Sequence, residues 1–209
     1  MPLIVFQHIL DEHGKLLIWQ GTESLEQLRN KFWVNYPNAS IPDFKLEKRE
    51  REFLIGRILL HMVLPNVEVS NLPNGKPVVN GGWHISLSHT QDLVGLVVAE
   101  APIGLDMQGP DEKLLRIAAR FCNEKELEWI DSLPSPVEGA LIVWSSKEAV
   151  FKVYGENIEF ADEMSIHIRT PRQSTFTLEY QGDHGHEVFA MHQFNVKDVC
   201  VVYTLKGAS

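Results

Sequence analysis

Residues 144–155 read WSSKEAVFKVYG, and how this stretch folds decides how the rest of the chain is arranged. With the preceding ALIV (140–143) it makes an apolar run of helical length, closed by Gly155, a residue suited to the left-handed conformation that ends helices. At about 100° per residue, Ala149, Val150 and Val153 take one side, and Trp144 and Phe151 take another. Glu148 and Lys152 are four apart and share a face, with Ser145 close by, in a narrow polar strip between the apolar groups. A solvated pair of this kind contributes only about 0.2–0.5 kcal/mol. A helix apolar on two sides leaves little room for such a pair, and half-buried charges usually hold something. A carboxylate suits a hard cation and a lysine suits a phosphate.

Working outward, a partner acid for Glu148 stands in IGLDMQG (103–109), where Asp106 ends an apolar strand between Leu105 and Met107. An acid on a strand and one on a helix can share a magnesium ion, which keeps waters and also takes phosphate oxygens. The alternative for Asp106 is a turn or capping aspartate ahead of GPDEKLL. NGKP (74–77) sets Lys76 between Gly75 and Pro77, as a stiffened phosphate contact or as a solvated lysine in a hairpin loop. LSHT (87–90) ends a strand with Ser88 and His89. Adjacent strand residues point to opposite faces, and no G-x-S-x-G surrounds them, so this is not a nucleophile–base pair. Donation to phosphate oxygens suits both better. HGH (184–186) lacks a third ligand at zinc spacing and reads as a loop.

The chain has 209 residues, 44% hydrophobic, with a formal net charge of -9, so a normal core is expected and general nucleic-acid binding is not. Cys122 and Cys200 stand far apart outside any C-x-x-C, as in a reduced cytoplasmic protein. MPLIVFQHIL has no basic n-region and no cleavage site, and reads as a first strand; no apolar run reaches membrane-spanning length. Strands are expected at 3–8 and 15–19, joined by the turn DEHG. Helices are expected over SLEQLRNKFW, capped by Ser24, and over KLEKREREFLIGRILLHMVL, stopped by Pro65. NLPNGKP reads as loop. WHISLSH, LVGLVVAE and PIGLDMQ read as strands, DEKLLRIAARFCNEKELEWIDSL as helical, and MSIHIR, TFTLEY, EVFAMHQFN and VCVVYTL as closing strands. This order predicts an α+β fold in two halves of similar layout, 1–101 and 102–209.

GKP, WHISLSHT, IGLDMQ, RFCNEKE and WSSKEAVFKVYG, in this order and spacing, resemble the 4′-phosphopantetheinyl transferase superfamily, in its larger surfactin-type class. REREFLIGRILL (49–60) is similar to the helix that precedes GKP in that family. The resemblance implies a pseudo-twofold α+β monomer with its active site in a cleft between the halves. It implies a cytoplasmic, magnesium-dependent enzyme that moves the phosphopantetheine arm of coenzyme A onto a serine of an apo acyl or peptidyl carrier protein. The carrier and pathway, fatty-acid or secondary metabolism among them, stay open, and neither nucleic acid nor membrane is an expected partner. Carried over by motif, Asp106 and Glu148 are magnesium ligands, with Glu148 also able to relay the serine proton. Lys152 contacts the phosphates, and Lys76, Ser88 and His89 hold coenzyme A. Lys45, Lys48, Arg51 and Arg57 offer charge for the 3′-phosphate, Arg51 among the cofactor contacts. Glu126 matches the family's acid in RFCNEKE and helps to position a lysine. One departure stands out: Gln108 replaces a second acid two residues after the aspartate, offering a carbonyl oxygen or a held water to the metal. That loss of charge leaves an alternative, a non-catalytic binding module for coenzyme A or a carrier.

Overall fold

The computed structural model describes residues 3–9, 13–73, 75–155 and 158–207. The DEHG turn at Asp11 and Glu12, and Asn74 of NGKP, lie outside the described residues. The expected α+β class is observed. Contacts gather into two compact units, Met1–Glu100 and Ala101–Ser209.

In the first unit, strands β1 (Leu3–Ile9) and β2 (Gly14–Gln20) are followed by helices α1 (Leu25–Asn35) and α2 (Glu47–Val63). Then come β3 (Val69–Asn71), β4 (Pro77–Val79), β5 (His84–Thr90) and β6 (Leu93–Ala99). The antiparallel sheet runs β1-β2-β6-β5, and β3 and β4 form a separate hairpin. NLPNGKP, expected as loop, therefore lends its first and last residues to strands: Asn71 pairs with Pro77, while the middle turns. Pro77 is tolerated because this ribbon has only two strands, so its missing N–H interrupts no further ladder. Ser24 and Gln27 cap α1 reciprocally, each side chain accepting from the other's backbone N–H at 3.2 and 2.9 Å. Arg29 on α1 grips Glu50 on α2 with two donors at 2.6 and 2.8 Å. Leu28, Phe32, Leu54 and Leu59 of these helices pack with Leu17 and Leu96 of the sheet.

The second unit opens with β7 (Ile103–Gln108), then α3 (Lys113–Ile117), a 3-10 turn (Ala118–Arg120), α4 (Glu124–Asp131), α5 (Pro136–Tyr154) and α6 (Phe160–Glu163). It closes with β8 (Met164–His167), β9 (Thr175–Gly182), β10 (Gly185–Val196) and β11 (Val199–Leu205). The antiparallel order is β7-β11-β10-β9-β8. The helical run expected across 111–133 is broken, because Asn123 leaves helical geometry to cap α4, exchanging bonds with Glu126 at 2.9 and 3.0 Å. HGH is likewise more ordered than a loop. His184 ends a two-residue turn, and Gly185, at φ 100°, starts β10.

Helix α5 begins at Pro136, taking in PVEG ahead of the expected ALIV, since proline's missing N–H costs nothing in a first turn. It ends as expected at Gly155, with φ 97° and its N–H on the Phe151 carbonyl at 2.7 Å. Val143, Val150, Leu178, Met191 and Val202 belong to the core around it. Gly104 lets α5 lie against β7: a Cβ built there would stand 1.8 Å from the Ala149 carbonyl oxygen. No helix among the described residues is long and apolar enough to cross a membrane.

Candidate active site

The strand period of two puts Gly104, Asp106 and Gln108 on one face of β7. Gly104 shows that this face meets α5. Asp106 is thereby carried to the polar strip of α5. Lys152 Nζ donates to Asp106 Oδ1 at 2.8 Å and to the Leu105 carbonyl at 2.9 Å. The i, i+4 spacing sets Lys152 beside Glu148, and the structure adds this partner on the strand. Asp106 is 6% exposed, and Glu148 is half-buried. Burial raises the Glu148 carboxyl pKa, the nearby Asp106 charge raises it further, and Lys152 works against both.

A magnesium ion fits this chemistry. Two carboxylates that feel each other's charge in a half-buried setting gain from a divalent cation, and oxygen donors suit a hard one. Among the described residues, no group of three or more His, Cys, Asp or Glu gathers as a metal cluster. The carboxylate and amide side chains that β7 and α5 offer here are the two acids and the amide of Gln108. That amide is half-buried and turns its Nε2 to the Gly109 carbonyl at 3.3 Å.

Lys147, the third charge in the quoted stretch, faces elsewhere. It is fully buried, and its ammonium meets Glu126 Oε2 at 2.6 Å and the carbonyls of Phe121, Phe160 and Met164 at 2.7, 2.9 and 2.9 Å. Burial lowers its pKa, and Glu126 opposes that shift. Glu126 also accepts from the Ile166 N–H at 2.9 Å, so one acid ties α4, α5 and β8 together. Nothing in the sequence around Lys147 assigns it a role. The signal lies in Glu126, whose motif implies a lysine for it to position, and the structure identifies that lysine as Lys147.

The remaining candidates lie in the first unit. Lys76 is half-buried between Gly75, at φ 85°, and Pro77, and burial lowers its pKa. Ser88 is buried on β5. His89 is exposed, its Nε2 facing Arg49 at 3.0 Å and its Nδ1 facing Glu52 at 3.2 Å. The tautomer with the proton on Nδ1 satisfies both, accepting from the guanidinium and donating to the carboxylate. Arg51 donates to the Glu23 carbonyl and to Glu47 at 3.0 Å. Lys48 and Lys45 are exposed, and burial lowers the Arg57 pKa. Glu52, Gly56, Arg57, Gly75, Pro77 and Leu87 border a cavity of about 240 Å³ beside these groups. Arg49 and Glu52, the partners of His89, were missed. Their place in the charged leading half of α2 gave no sign that they serve a strand residue.

A family model described as the 4′-phosphopantetheinyl transferase superfamily matches residues 102–204. The chain is 31% identical over 153 residues to the 4′-phosphopantetheinyl transferase psf-1 of Bacillus pumilus, covering 66% of this chain and 64% of that protein. It is 29% identical over 117 residues to the 4′-phosphopantetheinyl transferase gsp of Aneurinibacillus migulanus, covering 50% of this chain and 48% of that one. The matches thus span from about half to just under two thirds of these relatives. By this likeness residues 102–204 are similar to the 4′-phosphopantetheinyl transferase superfamily.

Proposed function

We propose that this protein transfers the 4′-phosphopantetheine arm of coenzyme A to a serine of an apo acyl or peptidyl carrier protein, with magnesium, releasing 3′,5′-ADP. The observation that carries this reading is the meeting of Asp106, Glu148 and Lys152 across the β7–α5 contact that Gly104 permits. Asp106, Glu148 and Gln108 would hold the cation. When bound, it offsets the negative charge that grows on the leaving diphosphate. Lys152 adds a positive charge already organised for the same phosphates. The serine oxygen forms a bond to the phosphorus bearing the pantetheine arm as the phosphoanhydride bond breaks, and the bonding pair leaves with 3′,5′-ADP. The serine proton passes to Glu148 directly or through water. Burial and Asp106 favour its protonated form, the direction a base needs. Lys76, Ser88, His89 and Arg51 are proposed to hold coenzyme A, with His89 near the 3′-phosphate.

The division of contacts after residue 100 supports two halves, 1–101 and 102–209; that they act as a monomer is proposed from the family resemblance alone. Buried free thiols at Cys122 and Cys200, both pushed up to about 12 by burial, support a reducing cytoplasm. Gln108 favours the second reading, a coenzyme A or carrier-binding module without turnover, because an amide lends the cation no charge. Incubation with coenzyme A, magnesium chloride and a panel of apo carriers separates the two. A mass gain of one phosphopantetheine on a carrier serine supports the transferase. Binding of coenzyme A with every carrier unmodified supports the module.

A further inference from the structure

Lys152 is assigned to phosphate, yet its ammonium sits on Asp106 at 2.8 Å, where a cation shared with Glu148 would bind. The side chain of Lys152 is 26% exposed and that of Asp106 9%, so this is a largely desolvated ion pair. The second bond, to the Leu105 carbonyl at 2.9 Å, fixes the ammonium beside β7. One residue therefore has two anionic claimants, an aspartate now and a diphosphate when substrate arrives.

We propose that Lys152 is a placeholder cation, which occupies Asp106 until a diphosphate draws it away and a divalent ion replaces it there. This rests on the transferase reading above and adds a binding order to it. In the unliganded protein the ammonium offsets the acid pair, so a metal ion must displace it to reach Asp106. A diphosphate alone must take Lys152 from Asp106, leaving two acids facing each other across α5 and β7. Each ligand alone meets a cost that the other removes. Ammonium on diphosphate and divalent ion on the acids together leave every charge opposed. Metal and diphosphate affinities are therefore coupled, and by reciprocity each tightens the other by the same factor. The exchange also keeps the acid pair from collecting divalent ions when no substrate is bound.

Calorimetric titration of MgCl2 tests this in wild type, Lys152→Gln, Lys152→Arg and, as a charge control away from the acids, Lys125→Gln. Without coenzyme A, Lys152→Gln is expected to bind Mg²⁺ about fivefold or more tightly than wild type, since its competitor is gone. Lys152→Arg and Lys125→Gln should stay within about twofold of wild type. Equal or weaker Mg²⁺ binding by a folded Lys152→Gln overturns the exchange. Should that variant fail to fold, lysine labelling of wild type read by mass spectrometry decides. Lys152 is expected to be protected in buffer, more reactive in saturating MgCl2, and protected again with MgCl2 and coenzyme A. Unchanged labelling across all three also overturns it. If wild type binds no Mg²⁺ even with coenzyme A present, the magnesium reading itself fails, a result distinct from either of these.

Discussion

Replacing Gly104 with alanine puts the strand–helix contact to its most direct test. The added Cβ would stand 1.8 Å from the Ala149 carbonyl oxygen, 2.8 Å from its carbon and 3.2 Å from Val153 Cγ2. The first two are backbone atoms of a buried helix and cannot rotate aside. The backbones must part by roughly 1.2 Å before the closest contact reaches even 3.0 Å. A shift of that size carries the 2.8 Å Lys152–Asp106 bond out of range. Overpacking costs about 1–3 kcal/mol, and a lost charge-assisted bond adds about 1.5 or more. A total near 3 kcal/mol lowers the melting temperature of a chain this size by about 6–12 °C. Chain entropy alone predicts the opposite sign, since glycine to alanine without strain stabilises by about 0.4–1 kcal/mol. Gly56 in α2 is the contrast: its Cβ would meet only flexible Leu87 methyls at 3.4 and 3.7 Å. Gly56→Ala should therefore hold or raise the melting temperature. Thermal unfolding followed by circular dichroism, with the carrier assay alongside, reads both. A Gly104→Ala protein that melts within about 2 °C of wild type and modifies carrier normally would refute the close approach and the site built on it.

Glu148→Gln should abolish carrier modification while raising the melting temperature at pH 7. Burial and Asp106 raise the Glu148 pKa in the fold, so its stabilising effect is complete below the unfolded value and is lost as pH rises through the folded one. The gain from glutamine should therefore shrink towards zero below about pH 4, and a pH-independent gain would show that charge is not its source. Lys147→Met strands Glu126, which is 3% exposed, and should cost about 3–5 kcal/mol in urea unfolding; adding Glu126→Gln should recover part of it. Equal losses from the single and double variants would mean that the ion pair is not what matters. Ser145 Oγ is buried without a hydrogen-bond partner, so Ser145→Ala should raise stability by about 1 kcal/mol. A fall in its urea midpoint would reveal a bond that the structure does not contain.

Most elements were legible because their signals are local. Ser24 ahead of α1, Gly155 after α5 and the alternating tail strands each announce themselves within a few residues. Asn123 is equally local, but a charged helical pattern on both sides of it masks the cap. The site was legible only in part, for a geometric reason. Lys147 and Glu148 are neighbours in sequence but diverge by about 100° on α5, so a wheel shows that they part without showing what each meets. Lys147 finds an acid 21 residues earlier, and Lys152 finds one 46 residues earlier. Those partners are set by packing: by Asn123 starting α4 where it does, and by Gly104 admitting α5 to β7. A strand glycine ordinarily reads as a weak point. Here its missing methyl brings Asp106 within reach of Lys152, so the residue without a side chain positions those that carry the charge.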